Sequence, residues 1–267
     1  MNAENVRCNE ASTLQNQIPK VIHLIWLSGS PKDRVSKRCI STWRKVLPDY
    51  EIREWTASDF RKDELPAFVL EAIEKKKWAF AADYLRLYLL YRYGGIYLDS
   101  DVYVRKSFDS FLQHSFFSFM EVHGTDWKAL VDANGHALTA EHVPGCCIQA
   151  AILESAPQHP FVKKCMTYYE NNHFIDQNGN PALSMIAPDI YALYAREYGF
   201  RYANELQLLE QGIAIYPSDY AAGSVREIQK NCYAAHLCAG SWRNVSRYAR
   251  LRKKAVLRLG VFYLRWL

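Results

Sequence analysis

A single stretch, WAFAADYLRLYLLYRYGGIYLDSDVYV at residues 78–104, constrains the fold of this chain more than any other. Its first part, residues 78–93, is apolar on nearly every side of the helix that it predicts, so this helix should be buried. Gly94 and Gly95 should end the helix, because glycine tolerates the left-handed backbone found at helix C-termini. The apolar run after them predicts a buried strand that carries Asp99 and Asp101 near its end.

The elements around this stretch alternate between strands and helices. Residues 20–27 predict a buried strand, residues 34–47 a helix that Pro48 stops, and residues 50–55 another strand. This order favours an α/β fold with parallel strand pairing. We predict further helices at 64–77, 159–172 and 187–199, further strands at 115–122, 146–153, 214–220 and 232–242, and a polar loop at 123–144.

The charge of the chain is concentrated at one end. Of the 267 residues 49% are hydrophobic, which is enough for a sizeable core. The net charge of +5 comes from residues 243–267, which hold eight Lys or Arg residues and no acidic residue, whereas the rest of the chain carries 25 basic and 28 acidic residues. The globular part is therefore slightly acidic, and this argues against a nucleic-acid partner.

The cysteine content and the hydropathy of the chain indicate the cellular compartment in which it works. The chain has seven cysteines, and no two of them have the CxxC spacing of a metal site. We find neither a signal-peptide pattern at the N-terminus nor an apolar stretch of membrane-spanning length. These features predict free thiols and a reducing, cytosolic environment.

Asp99 and Asp101 are the candidate metal ligands. In a continuous strand they point to the same face because side chains alternate, so both carboxylates can reach one cation. Such oxygen ligands suit Mg²⁺ or Mn²⁺, and α/β folds bind ligands at the carboxyl ends of parallel strands. The alternative is that the two aspartates cap a turn around Ser100. A DxD sequence alone is not specific, but the preceding glycines, strand and buried helix favour the metal site.

Asp83 and Arg86 stand three residues apart on the predicted buried helix, and therefore on one of its faces. One interpretation is an internal ion pair that satisfies two charges in an apolar helix. The other is that both side chains project into the site and bind hydroxyls, with Arg86 also near a phosphate. The two interpretations are compatible.

Four segments share their order and spacing with a known family: IPKVIHLIWLSG, CISTWRKVLPDYEIREW, KKWAFAADYLRLYLLYRYGGIYLDSDVYV and HLCAGSW. In these segments, across most of residues 18–242, the chain resembles the DXD-containing sugar transferases of glycosyltransferase family 32. The resemblance implies a GT-A fold, in which helices flank a Rossmann-like mixed and mostly parallel sheet. It also implies a nucleotide-sugar donor, a divalent metal, usually Mn²⁺, and retention of configuration at the anomeric carbon.

The resemblance also implies a donor site. Carried over by position, Trp26 would stack on the nucleotide base, Asp83 and Arg86 would bind the donor sugar, and Asp99 would contact the ribose. On residue type alone Trp26 is equally well explained as a core tryptophan at a strand end. We assign Asp83, Arg86 and Asp101 to the catalytic machinery, although the sequence identifies no nucleophile.

A metal site follows from the same resemblance. Asp101 would be the direct ligand, Asp99 would reach the metal through its water shell, and His236 would complete the site. Ser241 and Trp242 would donate hydrogen bonds to the diphosphate. Without the resemblance, a satisfied core histidine would be the better explanation of His236.

The predicted function is metal-dependent transfer of a hexose, from UDP-galactose or UDP-glucose, to a glycan or lipid-linked acceptor. The alternatives are a metal-dependent nucleotide-sugar hydrolase or phosphodiesterase and a non-catalytic membrane-binding adaptor. Cys146–Cys147 and Ala187–Pro188 differ from the common family pattern in segments that should border the acceptor. The acceptor therefore stays open.

The basic end predicts a second unit. We divide the chain into a GT-A domain at 1–242 and a basic amphipathic helix at 243–267. As a helix, six of its basic residues fall on one stripe, namely Arg243, Arg247, Arg250, Lys254, Arg258 and Arg265. We expect this helix to hold a cytoplasmic enzyme on the inner face of the membrane. The alternative is a solvated helix packed on the catalytic domain.

Overall fold

The computed structural model describes residues 17–182, 185–224 and 227–238, and an eight-stranded mixed sheet lies at its centre. In chain order the strands are β1 (Val21–Ile25), β2 (Glu51–Trp55), β3 (Gly95–Leu98), β4 (Val102–Val104), β5 (Phe116–Val122), β6 (Cys146–Ile148), β7 (Ile152–Ser155), β8 (Gln207–Leu209), β9 (Ile213–Tyr216), β10 (Ala221–Ala222) and β11 (Ala234–His236). The large sheet has the order β2-β1-β3-β7-β5-β9-β8, with β6 paired to β5. A smaller sheet has the order β10-β11-β4.

Most strands of the large sheet run in one direction. Strand β1 is parallel to β2 and β3, and β5 is parallel to β9. Strand β7 is antiparallel to both β3 and β5, and β8 is antiparallel to β9. The carboxyl ends of β1, β2, β3, β5 and β9 therefore share one edge, which is where α/β folds place their ligands.

Helices cover both faces of this sheet. They are α1 (Arg34–Val46), α2 (Ala67–Glu74), α3 (Trp78–Tyr93), α4 (Pro160–Glu170) and α5 (Ala187–Ala195). One hydrophobic cluster joins α2, α3, α4 and α5 to one face, and a second joins α1 to the other. The predicted fold class is confirmed: this is the mixed, mostly parallel sheet flanked by helices that a GT-A fold requires.

Helix α3 is buried on most of its surface, as its composition predicts. It ends at Gly94, whose φ is +63°, and Gly95 follows with φ +102°. A Cβ on Gly94 would lie 2.7 Å from Pro157 Cδ, and one on Gly95 would lie 2.6 Å from the carbonyl oxygen of Val21. Both positions require glycine, because side chains strain this backbone and no space is left for them.

The predicted strand through Asp99 and Asp101 is not continuous, and this expectation was wrong. Strand β3 ends at Leu98, and the carbonyl of Asp99 accepts a 2.9 Å hydrogen bond from the Val102 amide, which closes a turn. After the turn the chain leaves the large sheet and enters the small one as β4, antiparallel to β11. The sequence does not indicate this break, because the residues before and after the turn are both apolar. The change of sheet depends on β11, a pairing partner far along the chain.

Some of the remaining sequence predictions can be compared with the structure, and others fall on residues that the structure does not describe. The described cysteines Cys39, Cys146, Cys147, Cys165, Cys232 and Cys238 are free thiols, as expected. Within the described ranges, no helix combines the length and apolarity needed to cross a bilayer. The predicted basic helix at 243–267 lies outside the described residues, and so does the boundary at residue 242.

Glu154 is a buried acid in the middle of the large sheet. It pairs with Ile96 of β3 and Phe117 of β5 in register, and it has no measurable exposure. Neither carboxyl oxygen has a hydrogen-bond partner among the described residues. Burial therefore raises the pKa of Glu154 well above its ordinary value.

We expect Glu154→Met to stabilise the protein, and to do so more strongly as the pH rises. Because the folded state holds this proton more tightly than the unfolded state, the native protein should lose stability above the unfolded pKa of about 4.3. The gain should be larger at pH 8 than at pH 5, by up to about 1.4 kcal/mol per pH unit while the folded state still holds its proton. Urea unfolding at both pH values measures it, with the exposed residue change Glu210→Met as control. An equal gain at both pH values would contradict the prediction.

Candidate metal and donor site

Three side chains converge at the turn between β3 and β4. Strand β11 pairs with β4 so that His236 lies opposite Val102, and the Leu237 amide donates to the Asp101 carbonyl at 3.1 Å. This pairing places His236 Nε2 3.4 Å from Asp101 Oδ1 and 3.7 Å from Asp99 Oδ2. One ligand atom from each of the three residues lies within 4.8 Å of the others. Asp99 and Asp101 therefore fit both interpretations: they form a turn, and their carboxylates also converge with His236.

The chemistry of this cluster suits a divalent cation. Two carboxylates and one imidazole are ligands for Mn²⁺ and, with water, for Mg²⁺. Burial alone would lower the pKa of His236, but the Asp101 carboxylate outweighs it and raises that pKa well above the ordinary value. Without a cation, a protonated imidazole therefore balances the carboxylates, and a bound cation would take over that role. The Asp–Asp–His cluster fits the implied metal.

Asp83 and Arg86 form the predicted internal ion pair on α3. Arg86 Nη2 donates to Asp83 Oδ1 at 2.7 Å, and Nη1 donates to the carbonyl of Ala150 at 2.7 Å. The guanidinium also stacks 4.8 Å from the ring centre of Tyr97 and lies 3.9 Å from Asp99 Oδ1. Only 5% of the Arg86 side chain is exposed. The pair is thus continuous with the metal cluster through Asp99.

Asp83 has an unusual environment for a carboxylate. Burial raises its pKa to about 7, the nearby Asp99 carboxylate adds to the rise, and Arg86 opposes it. Its side chain keeps 16% of its surface exposed, so part of Asp83 can still reach a ligand. The predicted sugar-binding role of Asp83 and Arg86 fits this position and stays a prediction.

Tyr97 is a site residue that the sequence reasoning missed. Its hydroxyl donates to Asp99 Oδ1, the same oxygen that Arg86 approaches. The signal was present, because Tyr97 and Asp99 are two residues apart at a strand end and so share a side. Tyr97 and Arg86 together fix the orientation of the Asp99 carboxylate.

Trp26 lies at the same sheet edge, one residue beyond β1. The register of β1 with β3 pairs His23 with Tyr97, so the two strands end at similar heights. The Trp26 ring is partly exposed, its Nε1 donates to the Ser30 carbonyl at 2.6 Å, and Lys32 Nζ lies 5.1 Å from its centre. This placement is compatible with a platform for a base, and that role stays a prediction. The other predicted donor contacts, Ser241 and Trp242, lie outside the described residues.

A cavity of about 630 Å³ lies elsewhere, between the loops at 122–135 and 201–205. Within the described part of the chain, no proposed metal or donor residue lines it. Its charged groups are largely paired: Arg201 contacts Glu205 at 2.6 Å, and Asp132 accepts from the amides of Asn134 and His136. The cavity opens beside the end of β5, and it does not contain the candidate chemistry.

Comparison with known proteins identifies a family whose model matches part of this chain. Residues 33–118 match the family model described as a glycosyltransferase sugar-binding region containing a DXD motif. An inositol phosphoceramide mannosyltransferase of Schizosaccharomyces pombe is 33% identical over 103 residues, which are 36% of this chain and 28% of that protein. An uncharacterized glycosyltransferase of Acanthamoeba polyphaga mimivirus is 32% identical over 109 residues, 38% of this chain and 42% of that protein.

Among solved structures, the PaToxG glycosyltransferase aligns with a TM-score of 0.48 and 20% identity, over 72% of this chain and 76% of that one. This chain spans less than half the length of the curated relatives just named. The matched region contains Asp83, Arg86, Asp99 and Asp101 but neither Trp26 nor His236. The predicted resemblance is confirmed at residues 33–118, which match a glycosyltransferase sugar-binding region containing a DXD motif.

Proposed function

We propose that this chain, which carries a DXD glycosyltransferase region, moves a hexose from a nucleotide sugar to a glycan or lipid-linked acceptor, with retention of configuration. The observation that supports this most is the convergence of Asp99, Asp101 and His236 within 4.8 Å. The buried pair of Asp83 and Arg86 adjoins that cluster, so donor and metal contacts meet at one sheet edge. We propose Mn²⁺, with Mg²⁺ as the substitute, as the bound cation.

The residues of the candidate site would have different roles in such a reaction. Asp101, Asp99 and His236 would hold the cation, which when bound neutralises charge on the departing diphosphate. Tyr97 and Arg86 hold the Asp99 carboxylate in place.

The remaining contacts belong to the donor. The partly exposed side chain of Asp83 would bind sugar hydroxyls, and Trp26 would offer a flat face to the base. Ser241 and Trp242 would complete the diphosphate site. This arrangement differs from a glycosidase, in which two separate carboxylates act as acid and as base or nucleophile.

The donor is proposed as UDP-galactose or UDP-glucose. The family resemblance and the Trp26 platform support a uridine nucleotide. The yeast relative named above is a mannosyltransferase, so GDP-mannose is the competing donor. That relative is also named for inositol phosphoceramide, which supports a lipid-linked acceptor for this chain.

A screen of nucleotide sugars with and without Mn²⁺ tests the proposal. We expect slow, Mn²⁺-dependent donor turnover with one UDP-hexose and faster transfer once a suitable acceptor is added. Tighter binding of GDP than of UDP in Mn²⁺, measured by calorimetry, would reverse the donor assignment. Turnover that yields only free sugar with every glycan and glycolipid acceptor would favour a hydrolase, and no nucleotide binding at all would favour an adaptor.

We further propose that residues 243–267 dock on the inner face of the membrane of a cytoplasmic enzyme. Each basic residue near an anionic leaflet contributes about 1 kcal/mol, so a cluster of this size is sufficient. We expect the full chain to float with anionic liposomes. Replacing Arg243, Arg247 and Arg250 with glutamine should weaken binding about 100-fold at low salt. Equal binding by both proteins would remove the proposed role of the basic residues.

A further inference from the structure

The thiol of Cys238 lies against the far side of the His236 ring. Its Sγ is 3.4 Å from His236 Nδ1 and 3.2 Å from the carbonyl oxygen of Gly223. The other ring nitrogen, Nε2, faces Asp99 and Asp101. The imidazole is thus held between the thiol on one side and the two carboxylates on the other.

The direction of these hydrogen bonds follows from the groups involved. A carbonyl oxygen only accepts, so the single thiol hydrogen of Cys238 is donated to Gly223. The Cys238 sulfur must then accept from His236, so Nδ1 carries a proton. When a cation displaces the second proton from Nε2, the neutral ring keeps its Nδ1 proton and presents the Nε2 lone pair to the metal ion.

The backbone around the thiol supports this arrangement. Cys238 has a φ of +47°, a left-handed conformation that costs a residue with a Cβ about 1 kcal/mol. This turn of the chain carries the side chain back onto the ring two residues earlier. The acceptor is also held, because the Gly223 amide donates to Glu227 at 3.1 Å and β10 pairs with β11 just before Gly223.

We propose that Cys238 is a positioning residue that fixes the tautomer and orientation of His236 for metal binding. The inference rests on the proposed metal-dependent function and adds to it a residue outside the ligand set. A metal-bound histidine commonly donates its second N–H to a partner, and loss of that partner typically weakens metal affinity by about 10-fold to 100-fold. In this protein the partner is a thiol.

Two variants separate the thiol from the backbone. Cys238→Gly removes the thiol but suits the positive φ, so its thermal stability should equal or exceed that of the unchanged protein. Its dissociation constant for Mn²⁺ alone should rise about 10-fold or more. Cys238→Ser keeps a donor and an acceptor and should stay within about 3-fold of the unchanged protein.

The matched control is Cys232→Ser, which replaces a buried thiol two residues before β11 that donates to the Ala234 carbonyl at 2.9 Å. It should leave Mn²⁺ affinity unchanged. A second readout is the ¹⁵N spectrum of His236 with Mg²⁺. It should show the Nδ1–H form in the unchanged protein and a mixture of tautomers in Cys238→Gly.

The outcomes distinguish this inference from the function on which it rests. Mn²⁺ affinity in Cys238→Gly equal to that of the unchanged protein would overturn the positioning role and leave the metal site intact. A failure of the unchanged protein to bind Mn²⁺ would overturn both. Weakened binding in Cys238→Gly with retained stability and a mixed tautomer would establish the role.

Discussion

Replacing Asp101 with asparagine or alanine should abolish most sugar transfer and leave the protein folded. Asp101 is the proposed direct ligand, and its Oδ1 lies 3.4 Å from His236 Nε2 at the centre of the cluster. Without it the departing diphosphate would lose most of its charge neutralisation. We expect kcat/KM to fall by about 100-fold or more, equal to about 2.7 kcal/mol of transition-state stabilisation. Initial rates across a Mn²⁺ titration measure the loss.

The exposed Asp126, at the start of a short 3₁₀ helix, supplies the matched control. Asp126→Asn should keep the rate and the Mn²⁺ affinity of the unchanged protein. Thermal unfolding of Asp101→Asn should confirm that the fold survives. Full transfer activity in Asp101→Ala, or in the unchanged protein with excess chelator, would refute a metal-dependent mechanism.

Replacing Arg86 with methionine should destabilise the protein by about 3–5 kcal/mol. The change leaves Asp83 without its 2.7 Å partner and the Ala150 carbonyl without its donor, in a region where Arg86 is only 5% exposed. For a chain of this size the melting temperature should drop by roughly 10 °C. Urea unfolding gives the free-energy change directly.

A second substitution identifies the cause. If the cost comes from the unpaired carboxyl, Arg86→Met combined with Asp83→Leu should recover part of the lost stability. Arg92→Met, on the same helix but with a side chain that is 53% exposed, should change stability by less than about 0.5 kcal/mol. Equal destabilisation by the two arginine changes would contradict a special role for the buried pair.

Predictions that depended on neighbouring residues agree with the structure. The apolar composition of residues 78–93 predicted the buried helix, and the glycines after it predicted its end, because both signals act within one or two turns of the chain. The spacing of Asp83 and Arg86 predicted their ion pair for the same reason, since the helical period alone places them on one face. The binding of a sugar by Asp83 and Arg86 stays a prediction, because it is a property of a complex.

Predictions that required distant partners were incomplete. The strand at 96–104 was expected to be continuous, but Asp99–Asp101 is a turn because β4 leaves the large sheet to pair with β11. Residues 146–153 were expected to be extended, and they divide into β6 and β7. Between those two strands, the Ala150 carbonyl accepts a hydrogen bond from Arg86, and the Ala151 carbonyl accepts one from the Asp99 amide.

The sequence by itself determined the fold class of this protein and the identity of its candidate metal-ligating residues. Periodicity, glycine placement and the DXD segment are local features, and local sterics and hydrophobicity decide them. The tertiary structure alone decided how the ligands meet: antiparallel pairing brings His236 to Asp101, and the thiol of Cys238 to the far side of the imidazole. It also decided that Glu154 is buried with no hydrogen-bond partner among the residues that the structure describes. These contacts join residues far apart in the chain, so only the packing of the whole sheet could bring them together.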